Sequence, residues 1–213
     1  MTTAARDQIL QSIRENLAAS ARDTITHAPS DHAAPEPRVP IPEPLDVVER
    51  FTTQLDAVGA QWTLVRGEVE AARALRRILS DAGARRVAGS DAPLVARLLP
   101  ERLTDLSRDE LFTCDAGVTT AQWGIAETGT LVLESARERS RLASLVPPMH
   151  VALLSTSRIC ASLADALARV DVASHAVTLI TGPSRTSDIE LTLVVGVHGP
   201  QVVHILLLEE EAQ

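Results

Sequence analysis

Apolar residues recur at Ile9, Leu10, Ile13 and Leu17, with Arg6, Asp7, Arg14 and Glu15 covering the other faces. This spacing of three and four predicts an amphipathic helix over residues 3 to 19. The pattern then stops. From Thr24 to Pro44 the chain carries Pro29, Pro35, Pro37, Pro40, Pro42 and Pro44 among small polar residues. Proline lacks the backbone N–H and clashes with the preceding helical turn, so this stretch reads as an extended linker. Residues 1–44 are therefore expected to form a helical arm and linker, and 45–213 a separate α/β domain.

Within that domain, Val47 to Val58, Glu68 to Leu79, Pro93 to Leu99 and Ser162 to Val170 read as helices. Trp62 to Val65, Arg86 to Ala88, Leu111 to Cys114, Gly129 to Leu133, Val151 to Ser155, Val177 to Ile180, Leu191 to Val197 and Val202 to Leu208 read as strands. Helices alternating with short apolar strands predict crossover connections and a largely parallel sheet. The expected fold class is α/β, with three layers built around a mixed sheet.

Composition narrows the chemistry. With 213 residues, 45% hydrophobic and 23% charged, the chain can bury one good core in the manner of an ordinary soluble globule. Its net charge of −8 and its two Trp and two Phe oppose nucleic-acid capture, which needs basic patches interleaved with aromatics. All 20 basic residues are arginine. The absence of lysine removes Schiff-base chemistry and any phosphate loop ending in Gly-Lys-Ser/Thr, and leaves anion binding to arginine. Cys114 and Cys160 stand far apart in no Cys-x-x-Cys arrangement. Two thiols cannot by themselves hold an iron–sulfur cluster or a structural zinc, and two buried thiols in a reducing compartment are expected instead. The N-terminus has no basic-then-apolar signal pattern and every apolar run is too short to span a bilayer, so a cytoplasmic location is expected.

Polar chemistry concentrates in three segments: Asp115 to Ser135, Gly182-Pro-Ser-Arg-Thr-Ser-Asp-Ile-Glu190, and Gly196-Val-His-Gly-Pro200. In open α/β sheets ligands bind beyond the carboxyl ends of strands, where these loops are expected to fall. Ser184, Thr186 and Ser187 offer hydroxyls and Arg185 a fixed bidentate donor, the elements of a phosphate or carboxylate site. Alternatively, Ser184 or Thr186 caps the next element and Arg185 pairs with Asp188 or Glu190. Glu127, within Ala126-Glu-Thr-Gly-Thr130, can act as nucleophile or general base, or can satisfy backbone donors in a tight turn. His150 and His198 can titrate near neutrality. Glu127 and His198 are the catalytic candidates, with Thr128, Gly129, Thr130, Ser184, Arg185, Thr186 and Asp188 expected to bind the ligand in one pocket with Glu127. The separations of the histidines and carboxylates match no metal-binding pattern, and no metal is expected.

Gly117-Val-Thr-Thr-Ala-Gln-Trp-Gly-Ile-Ala-Glu-Thr-Gly-Thr130, Val146-Pro-Pro-Met-His150, Gly182 to Glu190 and Gly196-Val-His-Gly-Pro200, taken in that order, resemble the lactate utilization protein C family, single-domain members of the LUD group. The resemblance covers about residues 45 to 208, and the N-terminal helix with its proline-rich link is also similar. It implies a fold of the NagB/RpiA/CoA-transferase-like kind. It also implies a cytoplasmic role with two iron–sulfur proteins in oxidising L-lactate to pyruvate. Since this chain has neither the cysteines for a cluster nor a Gly-x-Gly-x-x-Gly fingerprint, the redox centres would come from those partners. Two other roles stay open: a stand-alone enzyme of CoA-transferase or isomerase type using Glu127, and a scaffold that senses a small anionic metabolite.

Overall fold

The computed structural model describes residues 8–15, 44–138, 141–187, 193–195 and 199–209. The chain divides into two units, Met1–Pro40 and Ile41–Gln213. In the first, residues 8–15 form helix α1. The remainder of the expected helix over 3 to 19, and the proline-rich stretch as far as residue 43, lie outside the described residues.

The second unit begins with helix α2 (Pro44–Val58). Pro44, expected to belong to the linker, is instead the first helical residue, a position where no backbone N–H is needed and a fixed φ helps. Strand β1 (Gln61–Arg66) follows, then helix α3 (Gly67–Asp81), which buries Ala71, Ala74, Leu75, Ile78 and Leu79. That is the three-and-four spacing of a helix with one apolar stripe. After β2 (Val87–Gly89) come the short helices α4 (Pro93–Leu98) and α5 (Arg108–Leu111).

The segment Asp115 to Ser135, whose first half the sequence pattern presents as a polar loop, is mostly strand: β3 (Ala116–Thr120), β4 (Trp123–Ile125) and β5 (Thr130–Glu134). The expected strand Leu111 to Cys114 does not form. Ser107 Oγ accepts the N–H of Glu110 while the Glu110 carboxylate accepts the N–H of Ser107, and this reciprocal cap winds residues 108–111 into a helical turn. Strand β3 buries hydroxyl-bearing residues because they are satisfied: Thr119 Oγ1 and His150 Nε2 lie 2.9 Å apart. Strands β6 (Met149–Ser155) and β7 (Ile159–Cys160) precede helix α6 (Leu163–Leu167). Strands β8 (Val177–Ile180), β9 (Arg185–Ser187), β10 (Leu193–Val195) and β11 (Val202–Glu209) complete the unit.

The mixed strand directions expected from the sequence are divided among separate sheets. Five strands, in the order β1-β11-β6-β3-β2, pair in parallel throughout. A second sheet has the order β7-β4-β5-β8, with β4 antiparallel to β5, β5 antiparallel to β8, and β4 parallel to β7. Strands β9 and β10 pair antiparallel.

One face of the parallel sheet packs Val118, Val151, Leu153 and Leu206 against Leu75, Ile78, Val95 and Leu98 of α3 and α4. The other face packs Ala152, Leu154, Ile205 and Leu207 against Phe51 and Leu55 of α2 and Leu131 and Leu133 of the second sheet. Strand β11 lies between β1 and β6 and is covered on both faces, which accounts for the apolar run Ile205 to Leu208. Gly117 is required by packing: a Cβ there would stand 1.7 Å from the carbonyl oxygen of Ala143.

Candidate functional site

The turn between β4 and β5 holds Glu127, Thr128 and Gly129. Gly129 adopts φ +64°, and an added Cβ would lie 2.8 Å from the Gln54 carbonyl carbon of α2, so both backbone hand and close approach call for glycine. Glu127 is exposed, and its Oε1 accepts the N–H of Leu163 at 2.8 Å. It thus satisfies the first free donor of α6, the local role that competes with nucleophile or base. Thr128 Oγ1, Thr130 Oγ1 and Thr181 Oγ1 form a hydroxyl chain with links of 2.7 and 2.8 Å.

Thr181 stands on the rim of a cleft of about 810 Å³ that Ser184 and Arg185 also line, together with Pro148, Pro200 and Gln201. The Ser184 N–H donates to Pro200 O at 2.9 Å. Arg185 is exposed and donates through Nη2 to the carbonyl of Val58, at the carboxyl end of α2. A cation is favoured there by the exposed carbonyls and the helix dipole. Thr186 lies in β9, its backbone in register with Val194. Asp188 and His198 lie outside the described residues. Thr181, Ser184 and Arg185 therefore share one cleft, while Glu127 and Thr128 do not line it and connect to it only through the threonine chain.

The cleft also faces an unexpected way. It follows the carboxyl end of β8, but Pro148 and Gln201 immediately precede β6 and β11, so relative to the parallel sheet it opens at the amino ends of the strands. A second cleft, of about 410 Å³, occupies the carboxyl ends. It is lined by Thr120 at the end of β3, Ser155 at the end of β6, and the Gln122–Trp123 step between the two sheets. None of its charged residues, Glu134, Arg137, Arg158, Arg169 and Asp171, stands out in the sequence. The available signal is that Glu134 and Glu138, four apart, come directly after the apolar run Leu131 to Leu133, an unusual place to bury two carboxylates.

Both carboxylates are indeed buried, at 3% and 1% exposure. Glu134 accepts from Trp123 Nε1 at 2.9 Å, Asp171 N at 2.7 Å and Ser174 Oγ at 3.1 Å. Its own N–H donates to Gln122 Oε1 at 2.7 Å. Glu138 Oε1 accepts the N–H of Thr120 at 2.6 Å and the Thr120 hydroxyl, whereas Glu138 Oε2 has no partner among the described residues. Burial pushes the Glu138 carboxyl above its ordinary pKa, partly opposed by hydrogen bonds from Thr120 and Ser90. Gln122 Nε2 donates to Thr120 Oγ1 at 3.0 Å, so the floor of the cleft is a fixed polar network. The guanidinium carbons of Arg158 and Arg169 stand 4.8 and 5.5 Å from the centre of the Trp123 ring.

His150, the other histidine singled out in the sequence, is fully buried in β6, and burial lowers its pKa to about 4. It is a neutral core group, not a titrating site. Cys114 and Cys160 are buried free thiols, each with its pKa raised by burial. Among the described residues no group of three or more His, Cys, Asp or Glu could hold a metal ion, and no helix is long and apolar enough to cross a membrane.

Residues 48–208 match the family model of the LUD domain. Over 185 residues the chain is 32% identical to lactate utilization protein C of Deinococcus radiodurans, covering 81% of this chain and 85% of that protein. An uncharacterised protein of Neisseria meningitidis serogroup B is 44% identical over 113 residues, and lactate utilization protein C of Bacillus subtilis is 35% identical over 103. The matched stretches span about half the length of these two relatives, 48% and 43%, and 51% and 45% of this chain. The crystal structure of a DUF162 family protein from Deinococcus radiodurans shares the fold, with a TM-score of 0.61 at 24% identity over 78% of this chain and 99% of that one.

Proposed function

Because the chain belongs to the LUD domain family, we propose that it serves in L-lactate utilisation as a cytoplasmic subunit without iron–sulfur clusters of its own. It works with two iron–sulfur partner proteins that carry electrons away as L-lactate becomes pyruvate. The observation that carries this reading is the match along 81% of the chain to a lactate utilization protein C. The two buried thiols support the division of labour, since they cannot ligate a cluster alone. In the expected ligand site, Ser184, Arg185 and the threonine chain of Thr128 and Thr130 would receive a small carboxylate or phosphate group, with Gly129 setting the turn. Asp188, Thr186 and His198 complete that proposal from the sequence.

A stand-alone enzyme built on Glu127 is the weaker alternative, because its carboxylate already caps α6. Deletion of the gene in the native host, in a background lacking other lactate dehydrogenases, tests the role. Loss of growth on L-lactate with normal growth on pyruvate, restored by the gene in trans, is expected. Undiminished growth on L-lactate refutes it.

A further inference from the structure

The cleft at the carboxyl ends of β3 and β6 contains an unbalanced charge. Glu134 is engaged by three donors, and Asp171 Oδ2 lies 3.8 Å from Arg137 Nη2. Arg158 and Arg169 have no ion-pair partner among the described residues, although both guanidinium groups lie over the same indole ring. Both arginines line the same cleft as the ring, so an anion seated there is attracted by both charges at once. Glu138 lies behind the floor at Thr120 with burial favouring its neutral form, and among the residues that line the cleft Arg137, Arg158 and Arg169 set against Glu134 and Asp171 leave one net positive charge. One negative charge on a ligand balances it, whereas a phosphate dianion would meet two fixed carboxylates with an excess of its own.

The floor suits a ligand that carries a further oxygen. Thr120 and Gln122 are immobilised, Thr120 by Glu138 and Gln122 by its bonds to Glu134 N and Thr120 Oγ1. Such preorganised polar groups orient a small molecule without a large entropic cost. The position, beyond the carboxyl ends of adjacent parallel strands, is the usual one for ligands in sheets of this kind.

We propose that this cleft binds a small organic acid through a single carboxylate bound by Arg158 and Arg169, with its polar substituent on the Thr120–Gln122 floor. The assignment extends the lactate reading by placing a small acid in the chain, yet it rests on the cleft alone and survives if that reading fails. Trp123 reports on it directly. In a Trp62→Phe background Trp123 is the sole indole, and its fluorescence should change saturably on titration with L-lactate, pyruvate or acetate. Arg158→Gln and Arg169→Gln should each weaken the response by about tenfold or more, the scale of a lost charge-assisted pair. Arg158→Lys, which keeps the charge but loses the fork, should fall between, and Arg108→Gln, whose guanidinium lies over Phe112 instead, should bind as the parent does. Arg158 is exposed, so its variants provide the test even where Arg169→Gln perturbs the fold. No saturable response to any of the acids, or equal affinity in Arg158→Gln, overturns the proposal. So does tighter binding of inorganic phosphate than of the acids, or loss of the response in Arg185→Ala alone, which would put the ligand in the other cleft. The outcome is independent of growth on lactate.

Discussion

His150 is enclosed in β6, with Nε2 beside Thr119 and Nδ1 without a partner among the described residues. Its imidazole stays neutral in the folded chain down to a pKa of about 4, while in the unfolded chain it takes a proton near 6.5. The unfolded state therefore binds more protons across that window, so stability falls as pH is lowered through it, by about 1.4 kcal/mol per pH unit. From neutrality to about pH 4 the loss amounts to about 3 kcal/mol, a large share of the 5–15 kcal/mol typical of a domain. The buried His204, whose pKa burial also lowers, acts in the same direction. Glu138 acts in the opposite one: its raised pKa makes the folded state the better proton acceptor just above the ordinary carboxylate range. Urea unfolding of the parent and of His150→Gln, followed by circular dichroism at several pH values between about 7 and 4.5, isolates the histidine. The variant loses absolute stability through altered packing, so the readout is the difference in slope with pH. A shallower acid slope in the variant is expected, and parallel slopes would refute the argument.

Other perturbations test the packing and the caps. Gly117→Ala drives a methyl into the Ala143 carbonyl and should cost about 3 kcal/mol or more, measured by the same unfolding assay. Glu127→Ala removes the acceptor for Leu163 N–H and should cost about 0.5–1 kcal/mol, with faster hydrogen exchange confined to α6. Unchanged exchange there would mean the cap contributes nothing. Glu138→Gln should gain on the parent as pH rises above the ordinary carboxylate range, because the parent bears the cost of a buried charge only above its raised pKa. A difference that does not vary with pH would show that the carboxylate is not ionising in that range.

The sequence made the outer framework readable because period and burial agreed there. Helix α3 shows its apolar stripe, and β6 and β11 are largely apolar runs that begin just after Pro148 and Pro200. Strand β3 was hidden because Gly-Val-Thr-Thr resembles a loop, and only the pairing of Thr119 with His150 in the neighbouring strand makes burial of its hydroxyl tolerable. The Gly182 to Arg185 motif does lie on a cleft, yet strand direction, which residue patterns do not encode, puts that cleft at the amino ends of the parallel sheet. Arg158 and Arg169 sit in undistinguished stretches. They meet at Trp123 only because β4 pairs with β7 and brings α6 alongside, a tertiary event without a local signature.

The place of β11 between β1 and β6 has a consequence for biosynthesis. Residues 61–66 leave the ribosome early, but their neighbour in the sheet is 202–209, with Arg66 and Glu209 joined across 143 positions. Until that final strand emerges, β1 has no partner and the apolar flank of β6 is an open edge. Such an edge invites pairing with other nascent chains. Folding of the parallel sheet is therefore a late step that closes from the last strand inward.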